Sequence, residues 1–478
     1  MSIAENADQL VSIDPATGRE AGHVRVTTLR DLDEMVARAW NAFHNSGWKT
    51  LLPHRRAAVL AAIADRLAAE KETLAALQMR DNGKPLGECR AMVDSAVGTF
   101  RYYAAVCETI ETGVTPSRGE YVSFTVLEPF GVVAAITPWN SPIMNDATKV
   151  APALAAGNAV LLKPSEDSPL LAPQLQRIAA EAGLPDGLLQ VVQGTGAEIG
   201  AALVSHPGVR MISFTGGTAT GRAIGRVAGD RLVPAALELG GKSPHIVFAD
   251  ADREHAVAGV VAGIFGSAGQ SCVAGSRLFV EADIYDDVLA QVVERARSLQ
   301  VGLPDAPGVE VGPLASFHHR ARVSAFVDRA REEGGRILCG GAAPRGGFYD
   351  QGAFYLPTVI DGLGPQARTC QEEAFGPVLV ALPFRDEAEL IEQANGTVFG
   401  LACGIWSESF KRAWRVGRAL EAGSVWINTY KQSVTSTPFG GFKNSGLGRE
   451  KGIDGLRLYA QVKSIYLGLH ENPLAVAK

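Results

Sequence analysis

The sequence predicts an α/β protein with two domains, each built around a mainly parallel sheet, and a small additional β element. Three observations support this. The chain has 478 residues, more than one domain usually holds. Short apolar runs alternate with helix-like segments twice, once from about residue 130 and again after residue 272. Two further segments, 118–128 and 457–468, alternate like half-exposed strands and belong to neither series.

The start of the chain is predicted to be helical. Residues 31–46 and 54–80 carry apolar residues at helical spacing, and the sequence DNGKP is a stop signal for the second helix. The strand candidates of the first alternating series are GVVAAITP, AVLLKPS, LLQVVQG, RMISFTG and PHIVFAD. Those of the second series are RLFVE, VLVALPF, GLACGIW and SVWIN, around helices near 283–299, 387–395 and 408–420. Such alternation implies right-handed crossovers and parallel sheets that are buried on both faces.

The composition excludes several classes of function. Hydrophobic residues make up 46% of the chain and charged residues 20%, as in an ordinary folded protein. The net charge is −6 and there is no long basic block, so we expect neither a nucleic acid nor an anionic membrane as partner. The N-terminal MSIAENADQL lacks the pattern of a signal peptide, and no stretch is apolar enough for a convincing membrane span. We therefore expect a cytoplasmic protein that acts on a small molecule.

Cysteine and histidine spacing gives no sign of a metal site. The six cysteines contain no CxxC pair, and the nine histidines lack metal-binding spacing. His318 and His319 would point to different sides of a helix, and both are expected to face solvent. The one cysteine in an unusual setting is Cys272, in GQSCVAGSR, where small residues surround the thiol.

Two glycine-rich turns follow predicted strands of the first series. GTGAEIG and TGGTATG do not have the spacing of the GxGxxG dinucleotide motif, and each alone could be an ordinary strand-to-helix turn. Two such turns in one parallel sheet favour a dinucleotide, because helix N-termini at strand ends attract phosphate.

Six motifs together identify a family. They are TPWNSP (137–142), LLKPSE (161–166), LELGGKSP (237–244), GQSCVAGSR (269–277), EEAFGP (372–377) and PFGGFKNSGLGRE (438–450). In this order and spacing they resemble the aldehyde dehydrogenase superfamily, and the resemblance covers nearly the whole chain.

The resemblance implies a domain organisation with two Rossmann-type α/β domains and a small protruding β element for oligomerisation. The implied segments are 1–115 and 130–240 for the NAD-binding domain, 241–440 for the catalytic domain, and 116–129 with 455–478 for the oligomerisation element. A homodimer or homotetramer is expected. Gln461 stands where many relatives carry Glu, which leaves the size of the oligomer open.

The resemblance also implies a reaction, the NAD(P)-dependent oxidation of an aldehyde to a carboxylic acid. Cys272 is the implied nucleophile, which forms a thiohemiacetal and then a thioester. The Asn140 side chain and the Cys272 backbone N–H are the implied oxyanion donors, and Glu238 is the implied general base. Branches of the family that transfer the acyl group to coenzyme A lack this base, so the free acid is the expected product.

A set of cofactor-binding residues follows from the same motif matching. Lys163 and Glu166 match the residues that hold the adenosine ribose, and a carboxylate there would repel a 2′-phosphate, so NAD is favoured although NADP is possible. The remaining positions match the pyrophosphate turns, the groove walls and the nicotinamide-ribose contacts: Ile136, Trp139, Gly196, Gly216, Gly217, Thr218, Leu239, Glu373 and Phe375.

The expected substrate pocket is polar, where many family members carry aromatic or bulky residues. Its predicted lining residues are Ser141, Asn145, Thr148, Ser267, Lys431, Ser433 and Phe439. Polar groups left unpaired against an apolar aldehyde cost about 1–3 kcal/mol each, so a polar or acidic, semialdehyde-type substrate fits better. Lys431 is the candidate partner of a substrate carboxylate or carbonyl.

Two alternatives from other classes remain at this point. A structural, NAD-binding protein of the same fold without turnover is one, and the complete set of Asn140, Glu238 and Cys272 argues against it. A short-chain carbonyl reductase is the other, because Tyr459 and Lys463 form a YxxxK match. Those enzymes are about half this length, and the match lies on a strand-like segment too late in the chain.

Overall fold

The computed structural model describes residues 8–471 as two α/β units and smaller antiparallel sheets. Residues 1–7 and 472–478, the outer ends of the predicted NAD-binding and oligomerisation segments, lie outside the described residues. Within the described range, no helix combines the length and the apolar character that a bilayer crossing requires.

The strands of the described residues are, in chain order, β1 (Gln9–Ile13), β2 (Glu20–Arg25), β3 (Val114–Thr115), β4 (Tyr121–Pro129), β5 (Val132–Ile136), β6 (Ala159–Lys163), β7 (Leu189–Val191), β8 (Met211–Thr215), β9 (Ala235–Glu238), β10 (Pro244–Val247), β11 (Arg277–Glu281), β12 (Arg336–Cys339), β13 (Thr358–Asp361), β14 (Val378–Phe384), β15 (Phe399–Gly400), β16 (Ala402–Trp406), β17 (Ser424–Ile427), β18 (Phe442–Lys443), β19 (Gly446–Leu447) and β20 (Ala460–Gly468).

The α-helices of the same residues are α1 (Leu29–Asn45), α2 (Pro53–Ala69), α3 (Lys71–Asn82), α4 (Leu86–Thr109), α5 (Pro142–Ala155), α6 (Leu171–Glu181), α7 (Ala201–Ser205), α8 (Thr218–Arg231), α9 (Arg253–Phe265), α10 (Tyr285–Ser298), α11 (Phe317–Glu332), α12 (Arg368–Gln371), α13 (Glu387–Asn395), α14 (Phe410–Ala419) and α15 (Gly452–Arg457).

The first sheet has the strand order β19-β9-β8-β5-β6-β7, and only β19, at one edge, is antiparallel. Strands β5 and β6 are buried on both faces, as a parallel sheet covered by helices requires. The chain order reverses between β5 and β8, which leaves a crevice at the carboxyl ends of these strands, the usual ligand position in such sheets. Ile136, Lys163, Thr215 and Glu238 stand at the carboxyl ends of β5, β6, β8 and β9.

The second sheet has the order β12-β13-β14-β11-β10-β16-β17, with β12 antiparallel at its edge. It carries a hydrophobic core of its own, separate from that of the first sheet. The loops before β11 and β14, at the amino ends of these strands, bring Cys272 and Glu373 toward the first sheet. The two parallel sheets predicted from the alternating apolar runs are therefore confirmed.

The segments predicted to stand apart from the parallel sheets pair with each other. Strand β20 runs antiparallel to β4 along nine residues, from Ala460 opposite Pro129 to Gly468 opposite Tyr121, and β3 completes this three-stranded sheet. Within residues 8–471, the outer edge of β20 has no strand beside it.

The strand PHIVFAD was assigned to the first series, and this assignment is wrong. It forms β10, near the centre of the second sheet. The last parallel strand of the first sheet is instead β9, whose four residues were too few to register as an apolar run.

Two other differences concern the start of the chain. The chain does not begin with a helix, because β1 and β2 form a short antiparallel hairpin before α1. The helix predicted over residues 54–80 is broken at Glu70, where the backbone leaves the helical conformation and separates α2 from α3. The predicted stop at DNGKP is present: α3 ends before Gly83, whose φ is +76°.

Candidate active site

Cys272, the predicted nucleophile, lies on a sharply turned loop between α9 and β11, residues 266–276. This segment is called the nucleophile loop. Ser267, Ala268 and Gly269, which precede Cys272, have left-handed φ values of 60°, 51° and 70°. A Cβ at Gly269 would lie 2.0 Å from the carbonyl oxygen of Gly376, so a side chain cannot be placed here without moving the backbone. Cys272 is partly exposed, whereas the other five cysteines are buried. Among the six thiols it is therefore the one that a solute can reach.

Asn140, the predicted oxyanion donor, reaches the same loop. Its side-chain Nδ2 donates to the carbonyl oxygen of Gln270 at 3.0 Å, and its Oδ1 accepts from Asn145 at 3.4 Å. Among the described residues, the second N–H on Nδ2 donates to no acceptor. Within residues 8–471 the backbone N–H of Cys272 donates to no protein acceptor. Two donors therefore remain for an oxygen that develops negative charge beside the thiol.

Glu238 contributes a buried carboxylate without a partner. The residue is 4% exposed, and among the described residues neither carboxylate oxygen has a hydrogen-bond partner. Burial, followed by the nearby Glu450, raises the pKa of Glu238 well above its usual range. A carboxylate with a raised pKa is a stronger base than a free one, which suits the predicted role of general base.

Two glycines bring the segment after Glu238 close to the loop that carries Cys272. Gly240 and Gly241 follow Glu238, and a Cβ at Gly241 would lie 2.4 Å from the carbonyl oxygen of Cys272. A Cβ at Gly240 would lie 2.4 Å from Oε2 of Glu373, whose other carboxylate oxygen, Oε1, accepts the Gly241 N–H at 2.9 Å. The segment after β9 therefore packs directly against both the nucleophile loop and Glu373.

Charges around Cys272 favour the neutral thiol. Burial, followed by Glu373 and Glu238, raises the pKa of Cys272 to about 12, while Lys431 and Lys451 act in the opposite direction. At neutral pH the sulfur is therefore protonated in the free protein, and it needs a base to become a nucleophile. Burial raises the pKa of Glu373 to about 7.

The crevice of the first sheet has the chemistry of a dinucleotide site. Gly217 caps the 14-residue helix α8, and a Cβ there would meet no atom within 4 Å. The Thr218 hydroxyl, on the first helical residue, is buried and has no hydrogen-bond partner among the described residues. An open helix N-terminus with a buried donor fits a pyrophosphate. Gly216 packs on the Phe214 ring, and Gly221 lets α8 approach Leu239.

Lys163 and Glu166 stand at the end of this crevice. The Lys163 ammonium is buried, 3.5 Å from Glu166, and donates to the Pro164 carbonyl at 3.0 Å. The Glu166 carboxylate accepts the Gly196 N–H at 3.1 Å and keeps 30% of its side chain exposed. An exposed acceptor with a lysine beside it fits the hydroxyls of a ribose.

The other wall of the crevice comes from the second sheet. Phe375, with a φ of +53°, places its ring edge-to-face with Trp139 at a centroid distance of 5.3 Å. The prediction that His319 faces solvent is wrong. His319 is 5% exposed and its Nε2 donates to the Phe375 carbonyl oxygen at 2.7 Å, because the inner face of α11 packs against this wall, while His318 is exposed.

The predicted substrate-pocket residues divide into two groups. Three hydroxyl or amide groups are engaged within the protein: Thr148 donates to the Met144 carbonyl at 2.8 Å, Ser267 to Glu88 at 2.6 Å, and Asn145 to Asn140. Ser141 is buried at the start of α5. Lys431, Ser433 and Phe439 form the second group, on the chain segment after β17. Lys451 joins this group, because its Nζ donates to the Ser433 hydroxyl and lies over the Phe439 ring.

The sequence reasoning missed a column of rings beneath the nucleophile loop. The Tyr430 hydroxyl donates to the Val273 carbonyl at 2.9 Å, next to Cys272. Its ring stacks on His245 at 4.2 Å, and His245 Nε2 accepts from the Trp406 indole. Burial lowers the pKa of His245 to about 3, so this column is uncharged. No local sequence pattern links these residues, because His245 lies in β10, Trp406 in β16 and Tyr430 in the loop after β17.

The residues of the reductase alternative do not form a site. The Tyr459 hydroxyl is buried against Ser213 at 2.9 Å, and Lys463 pairs with Glu128 across β20 and β4. Within residues 8–471, no cluster of three or more His, Cys, Asp and Glu side chains is arranged for a metal ion.

A partly exposed thiol, a carboxamide and a buried carboxylate lie beside a crevice that fits a dinucleotide, and this arrangement indicates an α/β oxidoreductase. A model of the aldehyde dehydrogenase family matches residues 3–465. The chain belongs to the aldehyde dehydrogenase family.

Named relatives match nearly the whole chain. The chain is 40% identical to a (Z)-2-((N-methylformamido)methylene)-5-hydroxybutyrolactone dehydrogenase of Acinetobacter baylyi, over 98% of this chain and 96% of the relative. It is also 40% identical to betaine aldehyde dehydrogenase of Bacillus subtilis, over 97% and 95%. Betaine aldehyde dehydrogenase of Staphylococcus aureus, solved in complex with NAD+, superposes with a TM-score of 0.96 at 36% identity, over 98% and 93%.

We expect Tyr430→Phe to lower kcat by roughly tenfold, since a lost hydrogen bond that leaves a buried carbonyl unpaired costs about 1–2 kcal/mol. The nucleophile loop would lose an anchor, so the rate of Cys272 alkylation by iodoacetamide should change as well, while the KM for NAD should not. Tyr349→Phe is the matched control, because it also removes a hydroxyl that donates to a backbone carbonyl, that of Val301 at 2.8 Å. Unchanged kcat and alkylation rate in Tyr430→Phe would remove the positioning role.

Proposed function

We propose that this enzyme oxidises an aldehyde to the free carboxylic acid with NAD, and that Cys272 is the nucleophile. The observation that carries the proposal is Glu238, a buried carboxylate with a raised pKa and no hydrogen-bond partner among the described residues, which packs through Gly241 against Cys272. Carboxylates of this kind cluster at catalytic sites.

The first step forms a covalent bond between substrate and protein. Glu238 takes the proton of the Cys272 thiol, and the sulfur adds to the carbonyl carbon to give a thiohemiacetal. The free N–H of the Asn140 amide and the backbone N–H of Cys272 hold the resulting oxyanion. Donors of this kind are typically worth about 3–4 kcal/mol at the transition state.

The second step removes the acyl group as an acid. Bound NAD supplies the hydride acceptor that converts the thiohemiacetal into a thioester. Glu238 first gives the thiol proton to solvent and then takes a proton from water. The hydroxide attacks the thioester carbon, the C–S bond breaks to release the acid, and Glu238 returns its proton to the thiolate. In sum, one aldehyde, one NAD+ and one water give one acid, one NADH and one proton.

We favour NAD over NADP because of Glu166. Its carboxylate is held by the Gly196 N–H at the place proposed for the adenosine ribose, where it would accept from a 2′-hydroxyl. Two unit negative charges about 5 Å apart repel by about 3 kcal/mol at an effective dielectric constant of 20, which disfavours a 2′-phosphate.

The substrate is proposed to be a polar or acidic aldehyde. Lys431, Ser433 and Lys451 line the approach to Cys272, and an apolar substrate would leave such groups without partners.

Assembly as a homodimer or homotetramer and a cytoplasmic location are part of the proposal. Strand β20 has an outer edge without a neighbour among the described residues, and Val462, Tyr466 and Leu467 on it are more than half exposed. Such an edge favours pairing with another subunit. All six cysteines are free, which suits a reducing compartment.

The direct test is the reduction of NAD with a panel of aldehydes, followed as absorbance of NADH. We expect turnover by the wild-type protein and none by Cys272→Ala. Cys403→Ala, at a buried cysteine of β16, controls for the loss of a thiol. Turnover that survives Cys272→Ala would contradict the proposed nucleophile.

Glu238→Gln should lower kcat by roughly 100-fold or more, the usual contribution of a general base. In the wild type, kcat should fall as the pH falls through the raised pKa of Glu238, because only the carboxylate accepts a proton. The variant should lose this acidic limb of the pH profile. If the limb persists in Glu238→Gln, another group is the base.

Glu166→Gln should raise kcat/KM for NADP by roughly 10- to 100-fold relative to NAD, because the charge repulsion of about 3 kcal/mol is removed. Glu198→Gln, an exposed carboxylate on the neighbouring turn, is the matched control. An unchanged NAD to NADP ratio would mean that Glu166 does not face the ribose.

A further inference from the structure

We propose that Lys431 and Lys451 together bind the distal carboxylate of the substrate, so that the preferred aldehyde is an ω-oxo acid and the product a dicarboxylate. This inference rests on the proposed oxidation at Cys272 and specifies the substrate class of that same site. It depends on the placement of two ammonium groups, on backbone conformation and on the charges that surround them.

The Lys431 ammonium stands at the nucleophile loop without a partner. A Cβ at Gly266 would lie 4.0 Å from its Nζ, which places the ammonium beside the loop that leads to Cys272. Among residues 8–471 no carboxylate lies within ion-pair distance of it, and its backbone has a left-handed φ of +56°. Burial lowers the pKa of Lys431 to about 8, and the nearby Glu88 and Cys272 act in the opposite direction. Lys431 is therefore still mostly charged at neutral pH.

Lys451 is held in a conformation that is otherwise almost confined to glycine. Its φ is 61° and its ψ is 180°. The surrounding backbone imposes this conformation, since Glu450 pairs with Phe439 and Gly452 donates to the Thr435 carbonyl. A residue other than glycine in such a conformation is a sign of function when its side chain enters a site.

The Lys451 side chain does enter the site. Its Nζ donates to the Ser433 hydroxyl at 2.7 Å and lies 5.5 Å from the centre of the Phe439 ring. The adjacent Glu450 does not neutralise it, because that carboxylate pairs with the buried Lys149 at 2.6 Å. Lys451, like Lys431, influences the thiol of Cys272.

The acidic groups nearby leave a positive balance. Glu88 accepts from the backbone and hydroxyl of Ser267 and lies 3.7 Å from the buried Lys84. Glu373 accepts the Gly241 N–H, and neither Glu373 nor Glu238 lies within ion-pair distance of Lys431 or Lys451 among the described residues. An anionic substrate therefore restores the balance of charge at this end of the pocket.

A cationic aldehyde is a poor fit, although two relatives are named for betaine aldehyde. Proteins bind quaternary ammonium groups on the faces of aromatic rings. At Phe439 that position is taken by the ammonium of Lys451. Two lysines would also repel a second cation, whereas a carboxylate offers each of them an oxygen.

The test compares wild-type enzyme with Lys431→Met, Lys451→Gly and the double variant. Lys451→Gly keeps the backbone conformation, which glycine adopts readily, and removes the cation. The substrates are 4-oxobutanoate and 5-oxopentanoate, the neutral butanal and pentanal, and betaine aldehyde, all with NAD. Lys411→Met, at an exposed lysine of α14, is the control for a lost charge.

We expect the wild type to prefer the oxo acids. Each single variant should lower the ratio of kcat/KM for oxo acid over neutral aldehyde by about tenfold or more, and the double variant by more than either, while Lys411→Met keeps the ratio. Wild-type preference for a neutral or cationic aldehyde, or equal losses on charged and neutral substrates, would overturn the inference and leave the oxidation itself standing.

A second measurement separates this inference from the reaction. Succinate should protect Cys272 of the wild type from iodoacetamide, and this protection should weaken in Lys431→Met and Lys451→Gly. If no aldehyde reduces NAD, the proposed function fails. The protection assay then tests by itself whether Lys431 and Lys451 bind a carboxylate. Absence of protection in the wild type, or equal protection in the lysine variants, would overturn this inference.

Discussion

The candidate site depends on a close backbone approach between the two sheets. The segment Leu239–Ser243 leaves the first sheet after β9 and enters the second at β10, and it passes where only glycine fits. At Gly240 and Gly241 an added Cβ would come within 2.4 Å of Glu373 and of the Cys272 carbonyl. Glu238, the nucleophile loop and Glu373 therefore meet because one short crossing segment carries no side chains at these two points. A larger residue at Gly241 would meet the backbone of the nucleophile loop, and one at Gly240 would displace the Glu373 carboxylate.

Two buried carboxylates show how the protein uses burial in opposite ways. Glu450 lies 2.6 Å from Lys149, which is satisfied further by Ser213, so its charge is balanced inside the fold. Glu238 has no such partner among the described residues, and burial raises its pKa. Isolated charges are costly to bury, so a group in this position tends to hold a proton. The paired carboxylate supports structure, and the unpaired one is available for proton transfer.

Much of the fold could be predicted because apolar runs and turn residues act locally. The buried strands β5, β6, β8, β11 and β14 were all found from their composition. The sheet to which β10 belongs could not be, since the preceding β9 is four residues long and sheet membership is decided by tertiary pairing. The burial of His319 depends on the packing of α11 against the Phe375 loop, which no local pattern encodes.

Only part of the candidate site could be predicted, because some of its residues belong to sequence motifs and others are brought together by tertiary packing alone. Motifs led to Asn140, Glu238 and Cys272, which are far apart in sequence and which the fold brings to one loop. Lys451 was missed although it follows directly on the quoted GRE motif, because its role depends on an unusual backbone conformation that sequence does not reveal. Tyr430, in the loop after β17, was missed because its neighbours His245 and Trp406 come from β10 and β16.

The crevice has walls from both sheets, with Thr218 and Glu166 on one side and Glu373 and Phe375 on the other. A molecule that spans it would therefore act as a non-covalent tie between two separately folded cores. Binding to the native state alone raises the free energy of unfolding in proportion to the logarithm of ligand concentration. The heat resistance of this protein therefore depends in part on its surroundings, namely on the concentration of that molecule in the cell.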